Sequence, residues 1–110
     1  MNPASRTQAA IEILDEVIAA ALGDGAPADA IIQRYFKTRR YAGSKDRRAV
    51  RELAYRAIRR SGEVPVSGRA ALLGLAADDA EIAFDSAGHG APPPGDGEAA
   101  SSASLLPAWI

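Results

Sequence analysis

Residues 3–76 are dominated by segments in which apolar side chains recur every three or four positions. The first segment, Pro3–Leu22, predicts a helix with one apolar stripe formed by Ala10, Ile13, Leu14, Val17, Ile18 and Ala21. No stretch alternates β-branched and polar residues as a half-buried strand would. The sequence therefore predicts an all-α protein, and 110 residues suit a compact bundle of four to five helices.

Glycine and proline residues separate the first helix from the others. A second helix is predicted to begin near Pro27, with this proline as its first residue and with Ile31, Ile32, Tyr35 and Phe36 buried. A third is predicted to have Ser44 as its N-cap, to end at Gly62 and to bury Ala49, Val50, Leu53, Ala54 and Ala57, with Ile58 at the edge. A fourth is expected over Ser67–Ala76, and residues 78–86 are expected to add a fifth helix of one or two turns.

The chain changes character after residue 86, so residues 1–86 are predicted to form the helical domain. Residues 87–104 are rich in Gly, Pro and Ser and predict a flexible acidic linker. An alternative is that the C-terminal part of the chain folds back on the basic face, where its acidic residues would mimic RNA; these are Asp78, Asp79, Glu81, Asp85, Asp96 and Glu98. Residues 105–110, LLPAWI, are expected to begin a further part of a longer protein, with Trp109 as an anchor.

Composition excludes several kinds of site. The chain has no cysteine, which excludes disulfides, thiolate metal sites and cysteine nucleophiles. Acidic residues interrupt the apolar N-terminal segment, so it predicts an amphipathic helix and neither a signal peptide nor a membrane span. We therefore expect a cytoplasmic protein without a membrane partner.

The formal net charge of -1 conceals a strong segregation of charge. Residues 34–60 carry eleven Lys or Arg against two acidic residues, which leaves +9, whereas residues 1–33 sum to -4 and residues 61–110 to -6. Such a local excess attracts anionic partners even when the total charge is near zero.

The basic segment predicts a surface that contacts nucleic acid. Arginine binds phosphate through planar, bidentate contacts, and an aromatic residue among basic residues is typical of such surfaces. The predicted RNA-binding residues are Arg39, Arg40, Lys45, Arg48, Arg51, Tyr55 and Arg59. No catalytic, cofactor-binding or metal-binding residue is predicted.

Three alternatives remain. The basic face is simply solvated, with some arginines paired to the acidic first and fourth helices; in particular, Arg47 and Arg56 are expected to pair with a carboxylate such as Asp15 or Glu16. In the second alternative, the basic face binds a catalytic domain or an acidic protein. In the third alternative, the second and third helices form a helix-turn-helix that binds DNA, although the third helix has few Asn, Gln or Ser residues to contact base edges.

The stretch RYFKTRRYAGSKDRRAVRELAYRAIRR, preceded by RTQAAIEILDEVIA, resembles the N-terminal domain of bacterial ribosomal RNA cytosine-C5 methyltransferases, the Sun/Fmu group. That domain is similar to the antitermination factor NusB, an all-helical RNA-binding fold. LPAWI resembles the stretch that opens the next part of those enzymes. The resemblance covers roughly residues 4–76 and 105–110.

The resemblance implies a NusB-like domain that positions ribosomal RNA for a downstream methyltransferase domain. It also implies S-adenosylmethionine as the cofactor of the full-length protein and a catalytic cysteine on that downstream domain. This chain contains no cysteine and no glycine-rich βαβ unit, so we expect no reaction and no cofactor binding from these residues themselves.

Overall fold

The computed structural model describes residues 1–23, 25–61 and 64–101. Within these residues the regular secondary structure consists of four α-helices: α1 (Pro3–Ala21), α2 (Ala28–Lys37), α3 (Ser44–Arg60) and α4 (Gly68–Asp78). The predicted all-helical class is confirmed. None of the four combines the length and the apolar character that crossing a membrane requires.

Polar groups cap two of the helices at their N-termini. The side chain of Asn2 accepts a hydrogen bond from the backbone of Ser5 at 2.7 Å and begins α1. Ser67 accepts from Ala70 at 3.0 Å and begins α4. Two of the sequence predictions are shifted by one residue: Pro27 is the N-cap of α2 rather than its first residue, and Gly43 rather than Ser44 is the N-cap of α3.

Helix α1 lies at the centre of the bundle and packs against all three other helices. Its buried side therefore includes Ala4, Thr7, Ala9 and Ile11 in addition to most of the predicted stripe. Ala21, which the periodicity placed in that stripe, is exposed at the end of the helix. The predicted stripe was too narrow because a helix with three neighbours buries more of its circumference than one that packs on a single side.

The other helices complete a core of aliphatic and small residues. The predicted buried face of α2 is confirmed at Ile31, Ile32, Tyr35 and Phe36. On α3, Val50, Ala54, Ala57 and Ile58 are buried, whereas Ala49 and Leu53 are only half-buried. Helix α2 packs mainly on α1, and α3 packs on α1 and α4. Consequently α2 and α3 lie side by side on α1 with a depression between them.

Residues 79–86 do not form the predicted fifth helix. The side chain of Asp79 accepts a hydrogen bond from the backbone of Glu81 at 3.0 Å, and its carbonyl accepts from Ile82 at 3.2 Å. This local bonding by an aspartate favours a turn over a helix.

The described part of the predicted linker, residues 87–101, lies against the bundle. Ala91 is fully buried and donates a backbone hydrogen bond to the carbonyl of Ala4 at 3.0 Å. Arg69 of α4 pairs with Glu98 at 2.5 Å, and Ser101 donates its backbone N–H to Ala70 at 3.0 Å. Flexibility of this segment stays a prediction, and residues 102–110, including LPAWI, lie outside the described residues.

Candidate nucleic-acid interface

The depression between α2 and α3 is an open groove of about 820 Å³, which we call the basic groove. Its walls come from the side of α2 that faces α3 and from the first half of α3, and Ile32 and Phe36 supply its apolar floor. Five cationic side chains line it, and none of the described residues that line it is acidic. The lining residues are Ile32, Gln33, Phe36, Lys37, Arg40, Ser44, Arg47, Arg48 and Arg51.

Three of these cations have no ion-pair or side-chain hydrogen-bond partner in residues 1–23, 25–61 and 64–101. They are Lys37, Arg40 and Arg48, all of them exposed. Lys45, one residue into α3, is also exposed and without such a partner in the described part of the chain. An incoming anion would therefore meet these groups without first displacing a carboxylate.

Arg47 is held in place inside the groove by neutral groups. Its Nε donates to the carbonyl of Ala42 at 2.9 Å, and its guanidinium lies 5.7 Å from the ring centroid of Phe36. Arg47 has no carboxylate partner in the described part of the chain, so the expected pairing with Asp15 or Glu16 is wrong. Asp15, one of the two partners expected, instead accepts from the backbone N–H of Gly68 at 2.7 Å.

One carboxylate reaches the end of the groove from the first turn of α2. Asp29 accepts a hydrogen bond from the Tyr55 hydroxyl of α3, and Arg51 Nη2 lies 3.7 Å from its Oδ1. Burial, and then Asp29, raise the pKa of Tyr55, so its hydroxyl remains a donor. Arg51 and Tyr55 are thereby linked to α2 in the structure.

Arg59 and Arg39, the other two predicted residues, lie outside the groove. Arg59 is near the C-terminal end of α3 and its Nη2 is 3.2 Å from Oε1 of Glu52. Arg39 follows α2 on the side that faces α1, where its guanidinium stacks 3.7 Å from the ring centroid of Tyr35. The structure therefore brings together Arg40, Arg48 and Arg51 in the groove, places Lys45 and Tyr55 beside it, and separates Arg39 and Arg59 from it.

The opposite side of α3 is neutralised by acidic residues. Arg56 pairs with Asp79 at 2.8 Å rather than with the expected Asp15 or Glu16, and Arg60 pairs with Asp78 at 2.6 Å. The alternative of a paired, solvated face thus describes this side of the helix. It does not describe the groove side, where the unpaired cations are concentrated.

The described tail does not cover the groove. Its contacts are with the beginning of α1, with Arg69 and Ala70 on α4, and with Arg60, whose Nη1 donates to the Ser101 carbonyl at 2.8 Å. Three of the acids proposed to fold back, Asp78, Asp79 and Glu98, pair with Arg60, Arg56 and Arg69 away from the groove. In the described residues the basic groove therefore stays open.

Two groove residues were absent from the predicted set. Lys37 was not among the predicted contacts and Arg47 was expected to pair with a carboxylate, yet both line the groove. The position of Lys37 is visible in the sequence, because Gln33 and Lys37 are four residues apart and form a row on one face of α2. What the sequence does not show is that this row faces α3.

No family model matches the chain, and neither the comparison with curated proteins nor the comparison with solved structures gives a match. The resemblance to NusB-like domains of ribosomal RNA methyltransferases accordingly stays a prediction. The four-helix structure is compatible with it only at the level of an all-helical domain.

Proposed function

We propose that this protein binds RNA through contacts between the phosphate backbone and the cationic side chains of the basic groove. The observation that supports this most directly is the set of five cations in one groove, three of them without a partner in the described structure. Arginine guanidinium groups form bidentate contacts with phosphate, and lysine adds a compact charge. Contacts of this kind fix the position of a nucleic acid without selecting its sequence.

The resemblance supplies the wider context of the proposal. In that context the RNA is ribosomal, and the domain holds it for a cytosine-C5 methyltransferase domain that uses S-adenosylmethionine. Because this chain contains no cysteine, its role would be to position the RNA while residues elsewhere perform the reaction.

Two alternatives use the same surface. A protein-docking role would place an acidic partner or the catalytic domain in the groove. A helix-turn-helix role is less favoured by the geometry, because residues 38–43 separate α2 from α3, whereas that motif has a turn of about three or four residues. In addition, α2 packs on α1 rather than across α3.

The test is a titration of the protein with a structured ribosomal RNA and with a DNA duplex of equal length, each at several salt concentrations. We expect preference for RNA and a steep loss of affinity with salt. Arg40→Ala together with Arg48→Ala should weaken RNA binding at least tenfold and lower the salt slope by about 2, since each removes about one phosphate contact.

The matched control is Arg34→Ala, which also removes an exposed arginine of α2, but one that pairs with Glu16 outside the groove. It should weaken RNA binding far less than Arg48→Ala. Equal effects of these two substitutions, or no RNA binding at low salt, would contradict the proposal. Tight association with an acidic protein under the same conditions would instead support docking.

A further inference from the structure

A second depression of about 820 Å³ lies between α1 and the C-terminal end of α2. We call it the Tyr41 pocket, after the aromatic side chain at its rim, which is 71% exposed. Its lining includes Gln8, Glu12, Tyr35, Arg39 and Tyr41 and, from the segment after α4, His89 and Pro92.

The loop after α2 joins this pocket to the basic groove. Successive side chains alternate: Arg39 and Tyr41 line the Tyr41 pocket, Arg40 lines the basic groove, and Ala42 is buried in the core. Two backbone hydrogen bonds fix this alternation, from Arg39 to the Phe36 carbonyl and from Ala42 to the Arg39 carbonyl, both at 3.2 Å. A strand that crosses the loop can therefore touch both depressions.

The pocket holds a carboxylate in a fixed position. Glu12 accepts hydrogen bonds from the Tyr35 hydroxyl at 2.6 Å and from Gln8 Nε2 at 3.0 Å, one on each oxygen. Burial and the neighbouring Glu12 raise the pKa of Tyr35, so the phenol stays protonated and continues to donate. Each carboxylate oxygen can accept more than one hydrogen bond, and the Glu12 side chain is 43% exposed. Glu12 can thus accept two further donors from a ligand.

Arg39 balances that charge and adds a flat surface. Its guanidinium stacks on Tyr35 at 3.7 Å and its Nη2 lies 3.9 Å from Glu12. With the exposed ring of Tyr41 nearby, the pocket combines planar groups for stacking with an oriented double acceptor. Among the RNA bases, guanine alone presents two adjacent donors, N1–H and the 2-amino group, on its pairing edge. Unpaired bases are commonly bound by stacking together with hydrogen bonds to that edge.

We propose that the Tyr41 pocket binds an unpaired guanine of an RNA strand whose phosphates lie in the basic groove, with Glu12 accepting from the pairing edge and Tyr41 stacking on the base. This inference rests on the proposed RNA-binding function and adds base selection to a surface that otherwise contacts only the backbone.

The experiment uses four labelled seven-nucleotide RNAs: all uridine, and uridine with a central guanosine, adenosine or inosine. The wild-type protein should bind the guanosine oligonucleotide about tenfold more tightly than the other three, because inosine lacks the 2-amino group and adenosine lacks both donors in that arrangement. Glu12→Gln should abolish the preference, with the affinity for all-uridine RNA unchanged or slightly higher. Circular dichroism should show the same helical content in the variant.

A second variant tests the same pocket without changing either residue of the Tyr35–Glu12 hydrogen bond. Tyr41 is exposed, so Tyr41→Ala should leave the fold intact and weaken binding of the guanosine oligonucleotide about tenfold, through loss of stacking. Equal affinity of the wild-type protein for all four RNAs, with binding still sensitive to Arg40→Ala and Arg48→Ala, would overturn this inference and leave the proposed function standing. Absence of binding to every RNA would overturn both.

Discussion

The hydroxyl of Tyr55 on α3 donates a hydrogen bond to the carboxylate of Asp29 at the beginning of α2. This contact joins two helices that pack more extensively on other helices than on each other. Because Asp29 also pairs with Arg51, one carboxylate both closes the end of the basic groove and reduces the charge available there. Asp29 therefore competes with any phosphate that approaches Arg51.

Asp29→Asn should strengthen RNA binding about two- to fivefold, which is the size expected when one exposed ion pair is released. Asparagine can still accept the hydrogen bond of Tyr55, so the position of α2 should be preserved. The measurement is the dissociation constant for a structured RNA at fixed salt. The control is Glu16→Gln, which removes an equal charge from a pair with Arg34 outside the groove. The same gain in both variants would show that only net charge matters.

Gly68→Ala should lower the free energy of unfolding by about 1–3 kcal/mol, the usual cost of overpacking. Gly68 begins α4 at the point where that helix approaches α1, and a Cβ there would overlap the Ile11 carbonyl oxygen. Urea unfolding followed by circular dichroism gives the difference. Gly23→Ala is the matched control, since its Cβ would meet only the Ala19 carbonyl at an ordinary 3.8 Å. A smaller loss at Gly68 than at Gly23 would argue against this close packing.

Acid should destabilise the protein partly through Asp46. A hydrogen bond from Arg6, assisted by the N-terminal ammonium, lowers the pKa of Asp46 below its usual 3.8 in the folded state. A lowered folded-state pKa means that this stabilisation is complete above the unfolded pKa and is lost as pH falls through the folded one. The thermal midpoint of Asp46→Asn should therefore be lower than that of wild type at pH 6, and the difference should shrink as the pH falls below 3.8.

The Arg6→Gln background provides the check on this assignment. When the main partner of Asp46 is removed, the substitution Asp46→Asn should have much less effect on the midpoint at pH 6. An undiminished effect in that background would show that Asp46 stabilises the fold by another route, such as its place in the first turn of α3.

A chain that ends at residue 86 should have a lower thermal midpoint than one that ends at residue 101. The shorter variant loses the buried Ala91 and the Arg69–Glu98 pair, and it also loses the contacts of Ser101 with Arg60 and Ala70. The longer one retains all of these. Scanning calorimetry of the two proteins measures the difference, and identical midpoints would show that residues 87–101 add nothing to stability.

The sequence was most informative where one element packs on one neighbour. The four buried residues of α2 were predicted correctly, because that short helix has a single apolar face. The breadth of the buried surface on α1 was not predicted correctly. The periodicity of apolar residues shows one stripe, but it cannot show that three helices surround α1.

The site was predicted less completely than the fold. The excess of charge in residues 34–60 located the basic region, but the division of its arginines depends on contacts between distant segments. Arg56 pairs with Asp79, and the whole of α4 lies between these two residues in the sequence. The contribution of Lys37 depends on how α2 faces α3. Such relationships are set by tertiary packing and leave no local pattern in the sequence.

The contact between Ala4 and Ala91 has a consequence for the synthesis of the protein. Ala4, at the beginning of α1, is synthesised well before Ala91, which donates a backbone hydrogen bond to it. At roughly 5–20 residues per second, the interval is on the order of ten seconds. During this interval, part of the apolar surface of α1 has no native partner. We therefore expect nascent chains of this protein to bind chaperones that shield apolar helices.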